Sequence, residues 1–136
     1  MTVRQGGERD LPAIAGIQAA SPEAAQWDVH GYLQYDLVVA EYKDRVVGFG
    51  VARAVGEGES ELLNLAVDPA FRHHGVGRRM VQEMISRRPG TLWLEVRETN
   101  VNARKLYKSL GFIEAGCRPD YYPDSGESAI VMKVHS

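Results

Sequence analysis

The stretch from Glu61 to Arg88 constrains the fold more than any other part of the chain. It opens on an apolar run rich in Leu and Val that is closed by Asp68-Pro69, which predicts a buried strand halted by a residue unable to continue a ladder. It ends on a helix pattern: Val76, Met80, Val81, Met84 and Ile85 share one stripe, and Arg78, Arg79, Gln82 and Arg87 lie mostly off it. Between them runs the short loop Arg72-His73-His74-Gly75-Val76-Gly77. A strand passing through a glycine-containing loop into a helix gathers free backbone N–H groups and the positive end of the helix dipole at one place, which suits an anion.

Two glycines at this spacing also serve simply to relieve crowding in a turn, so the loop alone leaves both readings open. Its surroundings favour the ligand: Arg72, Arg78, Arg79, His73 and His74 concentrate positive charge on a chain of formal net charge -2. A local basic cluster on a slightly acidic protein points to a polyanionic small molecule rather than a nucleic-acid surface, and no aromatics are interleaved with it. No Lys-Ser or Lys-Thr follows the second glycine, and a third glycine is missing, so neither the nucleotide-hydrolase loop nor the dinucleotide fingerprint is present.

The flanking sequence supplies strands and helices in alternation. Thr2 to Gln5 predicts a short strand, and Asp10 an N-cap for a helix with Pro12 in its first turn and Leu11, Ile14, Ile17 and Gln18 along its stripe. Ser21-Pro22 ends that helix, and Pro22 to Gln34 holds no more than one or two helical turns carrying Trp27, Tyr32 and Leu33. Leu37 to Tyr42 and Val46 to Arg53 read as strands joined at Lys43-Asp44-Arg45, and Gly56-Glu57-Gly58 turns the second into Glu61 to Val67. After the helix, Arg87-Arg88-Pro89-Gly90 is a stop signal. Thr91 to Arg97 alternates, with Leu92, Leu94 and Val96 opposite Trp93, Glu95 and Arg97, and a helical crossover makes it parallel to Glu61 to Val67. A helix from about Asn102 to Leu110, capped by Gly111, and closing strands at Phe112 to Glu114 and Ala129 to Val134 complete one α/β domain over residues 1–136.

Arg72-x-x-Gly75-x-Gly77, placed after a strand ending Val-Asp-Pro and opening an amphipathic helix, resembles the acetyl-coenzyme A motif of the GCN5-related N-acetyltransferase (GNAT) superfamily. Leu92-Trp93-Leu94-Glu95-Val96-Arg97, Asn100, Leu106-Tyr107-x-Ser109-Leu110-Gly111-Phe112 and Tyr121-Tyr122-Pro123 are similar to one branch, the bacterial ribosomal-protein-alanine N-acetyltransferases. The resemblance implies a single mixed, mostly antiparallel sheet with a central parallel strand pair flanked by helices. It also implies acetyl-CoA as co-substrate and, as acceptor, the amino terminus of a small-subunit ribosomal protein.

Acetyl transfer from a thioester to an amine needs an unprotonated nucleophile, a stabilised oxyanion and a proton for the departing thiolate. An α-amine is about a tenth neutral at pH 7, far more than lysine, so a chain terminus asks less of a base. By pattern alone Glu95 is either that base or a solvated carboxylate paired with Arg97 or Lys43; the resemblance implies the base. Tyr107 by pattern is a core residue or an acid, and the resemblance implies the general acid. Asn100 serves as a helix cap, and by resemblance as a hydrogen-bond partner of the cofactor. On the donor side the resemblance implies contacts from the backbone of Leu65, Ala66 and Val67, with a bulge exposing an oxyanion site, and from Arg72, His73, His74, Gly75, Val76, Gly77 and Arg78 around the pyrophosphate. Trp27, Tyr121 and Tyr122 are candidate walls for the acceptor or packing residues.

Acetylation of a lysine or small amine remains an alternative acceptor reading, and a non-catalytic CoA-binding module an alternative of another class. His30, His73, His74 and His135 lack zinc-like spacing and a Cys partner, so no metal is expected. The single Cys117 excludes an internal disulfide and reads as an inert thiol. No apolar run approaches the roughly 20 residues of a membrane span, nor does the amino terminus carry a secretion-type segment, and these features predict a cytoplasmic protein.

Overall fold

The computed structural model describes residues 1–136. Its strands β1 (Thr2–Gln5), β2 (Asp36–Tyr42), β3 (Arg45–Gly56), β4 (Glu59–Val67), β5 (Thr91–Arg97), β6 (Ile113–Arg118) and β7 (Ala129–His135) form one sheet in the order β1-β2-β3-β4-β5-β7-β6. All neighbours are antiparallel except β4 and β5, the pair joined by the crossover helix α2 (Val76–Arg87). The β2–β3 turn is only Lys43-Asp44, both at positive φ, the two-residue geometry whose twist matches the strands it joins. Helix α1 (Leu11–Ala19) and a 3-10 segment at Val29–Gln34 cover one face, where Ile14, Tyr32, Leu37, Phe49 and Val51 pack. On the other face α2 and α3 (Val101–Ser109) bury Met84, Leu92, Leu94, Tyr107 and Met132.

Asp10 precedes α1 as expected, but its carboxylate does not cap that helix. It accepts two hydrogen bonds of 2.9 Å from Arg4 and one from the Gly7 N–H, because an arginine fork offers a carboxylate more than a lone amide does. Gly111, at φ +97, ends α3 in a Schellman motif: Phe112 N–H donates to the Tyr107 carbonyl and Gly111 N–H to that of Lys108. The accompanying apolar contact is the Tyr107–Phe112 ring pair, centroids 5.5 Å apart. Phe112 therefore belongs to the cap and not to the closing strand, and β6 runs on to Arg118 because its outer edge needs no apolar partner.

The feature that positions the site is an irregularity in β4. Leu62 packs on the α2 face and Ala66 on the α1 face, although residues four apart in a regular strand share a face. The pleat reverses at Leu63, where β4 carries one more residue than β3 between the Val51–Asn64 and Ala52–Leu62 pairs. Parallel pairing with β5 also stops there, at Leu62 and Leu94, and the two strands separate beyond it.

Candidate active site

The separation of β4 from β5 opens a cleft of about 910 Å³ whose walls carry Leu65, Glu95, Asn100, Tyr107, Tyr121 and Tyr122, with Trp27 at the rim. Ala66, Val67 and the 72–78 loop lie outside its lining. The loop is tied to the cleft through α2 and α3: a side chain built at Gly77 would touch Val67 and Leu106, and Arg78 donates to the Ser109 hydroxyl at 2.6 Å.

Within β4 the Asp68 N–H pairs with the Val47 carbonyl, so by strand alternation the N–H groups of Leu65 and Val67 point away from β3 toward the opening. The Leu65 N–H is taken by the side-chain oxygen of Asn64 at 3.0 Å. Asn64 is 6% exposed and also bonds both backbone groups of Ala25, the Tyr32 hydroxyl and Gln18. Gln18 in turn donates to the Trp27 carbonyl at 2.6 Å. This polar cluster holds the 24–27 loop against β4, and its signal in the sequence is the lone amide inside Leu62-Leu63-Asn64-Leu65-Ala66. Asn64→Leu is expected to lower stability by about 2–4 kcal/mol, since it strands buried partners rather than deleting one exposed bond. A denaturant titration checks it, and a midpoint equal to wild type would show the cluster to be dispensable.

Glu95 faces the cleft, as strand alternation requires, with its side chain 21% exposed. Neither expected partner holds it. Arg97 is spent on Asp124 and Glu127 and stacks on the Tyr122 ring at 4.0 Å, and Lys43 sits over Tyr42. Its partner is Arg118, at the end of β6, with Nε 2.9 Å from Oε1. Two strands that are not neighbours supply this pair, which is why sequence spacing missed it.

Tyr107 is 7% exposed, and burial pushes its phenol up to about 12. Its hydroxyl has no hydrogen-bond partner in the protein, yet it is not sealed in the core, for Tyr107 lines the cleft. A folded-state value above the ordinary 10.0 means the proton is retained in the fold while the unfolded chain loses it. This contribution to stability is fully present below pH 10.0 and is lost as pH rises through about 12. Wild type should therefore lose about 3 kcal/mol more than Tyr107→Phe over that window, read from unfolding midpoints at several alkaline pH values. Equal losses would mean that the phenol is solvated.

Asn100 caps α3 through its side-chain oxygen and the Ala103 N–H, 3.2 Å. Trp27 is half exposed; Tyr121 projects outward, whereas Tyr122 tucks beneath Arg97, the two rings edge to face at 5.1 Å. The Tyr122 phenol is pushed up by burial first and by the Glu95 carboxylate as well, with Arg97 opposing.

At the start of α2, Gly75 is the N-cap at φ +77, a conformation other residues seldom adopt, and it offers no side chain to the first helical amides. Val76 anchors the turn in the core, and His73 and His74 are exposed. Arg72 turns away from these amides. Its guanidinium contacts Glu23 at 2.9 Å, the Ser21 hydroxyl at 3.2 Å and the Val67 carbonyl at 3.4 Å, which links the loop to the segment after α1.

A sheet opened between its parallel strands at a bulge, with an uncapped helix amino terminus beyond it, is the arrangement that the resemblance to the N-acetyltransferases implies. A model described as the acetyltransferase (GNAT) family matches residues 10–112, and the chain belongs to that family. It is 44% identical over 97 residues to a ribosomal protein bS18-alanine N-acetyltransferase of Salmonella typhimurium, covering 67% of this chain and 65% of that protein. Its likeness to the Escherichia coli K12 protein of the same name is 40% over 139 residues, 92% of this chain and 90% of the relative. The crystal structure of the ribosomal-protein-S18-alanine N-acetyltransferase from Escherichia coli superimposes with a TM-score of 0.84 at 32% identity, covering 98% of this chain and 92% of that one. The co-substrate is acetyl-CoA, and no helix is long and apolar enough to cross a membrane.

Proposed function

We propose that residues 1–136 act as one unit that acetylates the α-amine at the amino terminus of a protein, a small-subunit ribosomal protein beginning with Ala. The observation that carries this reading is the meeting of Glu95 and Tyr107 in the single cleft where β4 and β5 part, together with the names borne by the 40–44% identical relatives. An acceptor that is itself a component of the ribosome would put the reaction in the cytoplasm.

Acetyl-CoA supplies an activated acyl group on a thiol leaving group. The uncapped amides of Val76, Gly77 and Arg78 would receive its pyrophosphate, with the exposed His73 and His74 as neighbouring hydrogen-bond partners and Arg72 bracing the loop through Glu23. The backbone of Leu65, Ala66 and Val67 lies along the path to the cleft, and the outward N–H of Leu65 or Val67 is the oxyanion donor, Asn64 yielding the former. Asn100 stands at the mouth of α3 to hold the carrier. Trp27, Tyr121 and Tyr122 wall the acceptor chain.

Glu95 takes the proton from the ammonium, directly or through water, and the freed amine attacks the acyl carbon. As the new C–N bond forms and the C–S bond breaks, the nitrogen gives up its second proton to solvent, Tyr107 gives its proton to the sulfur and recovers one from solvent, and Glu95 returns the first to solvent before the next turnover. The high affinity of Tyr107 for its proton keeps it loaded at neutral pH. Incubation with total ribosomal protein and acetyl-CoA, followed by mass spectrometry, should find a gain of one acetyl on an Ala amino terminus. Acetyl on internal lysines or free amines instead would favour the alternative acceptors, and bound acetyl-CoA without thiol release would favour a non-catalytic module.

A further inference from the structure

The geometry points to Arg118 as a specificity residue that distinguishes the α-amine of a peptide from an isolated amine. The inference rests on the proposal that Glu95 receives the acceptor amine. Arg118 approaches Glu95 as an ion pair, its Nε 2.9 Å from one carboxylate oxygen, and its terminal NH₂ groups form no hydrogen bond within the protein. It ends β6 at the cleft wall, with its guanidinium 5.6 Å from the Tyr121 ring, and the second Glu95 oxygen accepts no protein hydrogen bond.

An amine seated on that second oxygen lies beside a guanidinium with unused donors. In a peptide amino terminus the first carbonyl is attached to the carbon that bears the amine, so one residue can place its ammonium on Glu95 and its carbonyl on Arg118 together. A lysine ε-amine has its carbonyl a whole side chain away, and a polyamine has none. Arg118 thus rewards a neighbouring pair of groups that only a chain terminus or an amino acid presents. A charge-assisted bond to an amide carbonyl accounts for about a tenfold effect. With 59% of its side chain exposed, Arg118 contributes little to the stability of the fold, so its replacement leaves the site standing.

The test compares an Ala-initiated hexapeptide with the same peptide blocked at its amino terminus and carrying one lysine, by thiol release at saturating acetyl-CoA. Arg118→Ala should lower kcat/KM for the free-terminus peptide about tenfold more than for the lysine peptide, the difference lying in KM and not kcat, while any factor common to both reports the lost ion pair with Glu95. Arg118→Lys, which keeps the charge without the planar fork, should recover part of the loss. If Arg118→Ala or Arg118→Gln shifts both acceptors by one common factor, or lowers kcat alone, the inference is wrong. Wild-type enzyme inert toward the Ala peptide would remove the proposed function as well. Active wild type, impaired Glu95→Gln and an indifferent Arg118→Ala would remove this inference only.

Discussion

Glu95→Gln is expected to lower kcat on an Ala-initiated peptide about 10²–10³-fold at pH 7 and to regain part of it in alkali. Gln preserves size and still fills the space beside Arg118, so the loss isolates proton removal from packing. The recovery follows from the acceptor. An α-amine near pKa 8 is mostly protonated at neutral pH and mostly free a unit or two above it, where solvent has already done the work of the carboxylate. A rate and pH profile matching wild type would remove Glu95 as the base. A loss of equal size at every pH would make it a binding group for the ammonium.

Substituting Gly77 by Trp should raise the apparent KM for acetyl-CoA about a hundredfold while moving that for the acceptor less than about threefold. A methyl at Gly77 would meet Leu106 at 3.5 Å and Val67 at 3.7 Å, ordinary contact distances, so Gly77→Ala is the near-neutral control. An indole has no such room: it must displace those two side chains or lie across the first amides of α2. The assay is initial-rate kinetics with each substrate varied in turn. Equal increases for donor and acceptor would mean that the loop shapes the whole cleft and not a donor site.

Much of the architecture was legible because local and global signals agree. Lys43-Asp44, Gly75, Gly111 and the stripe through Val76, Met80, Val81 and Met84 each dictate a turn, cap or buried face without reference to distant residues, and the parallel pair followed from the crossover helix. The unreadable parts involve competition between partners far apart in sequence. Asp10 had an arginine six residues away as well as a helix amide to choose between, and the arginine won. Glu95 pairs with Arg118 across β7, which lies between β5 and β6 in the sheet, with both residues on the cleft wall, and nothing local to either announces that meeting. Leu63 is one more leucine in an apolar run, and nothing in its type announces that the pleat reverses there. Arg72 looked like part of the basic cluster, yet Glu23 claims its guanidinium.

The two halves of the cleft are held by different parts of the polypeptide. In the proposed reading, main-chain amides of β4 and of the α2 start receive the donor, and every residue but proline possesses them, whereas side chains such as Asn64, Gln18, Arg118 and Tyr122 shape the wall offered to the acceptor. Point changes alter side chains and leave amides in place. Descendants of such a scaffold can therefore be retargeted to new amines by a handful of replacements around the rim, with the acyl carrier inherited unchanged.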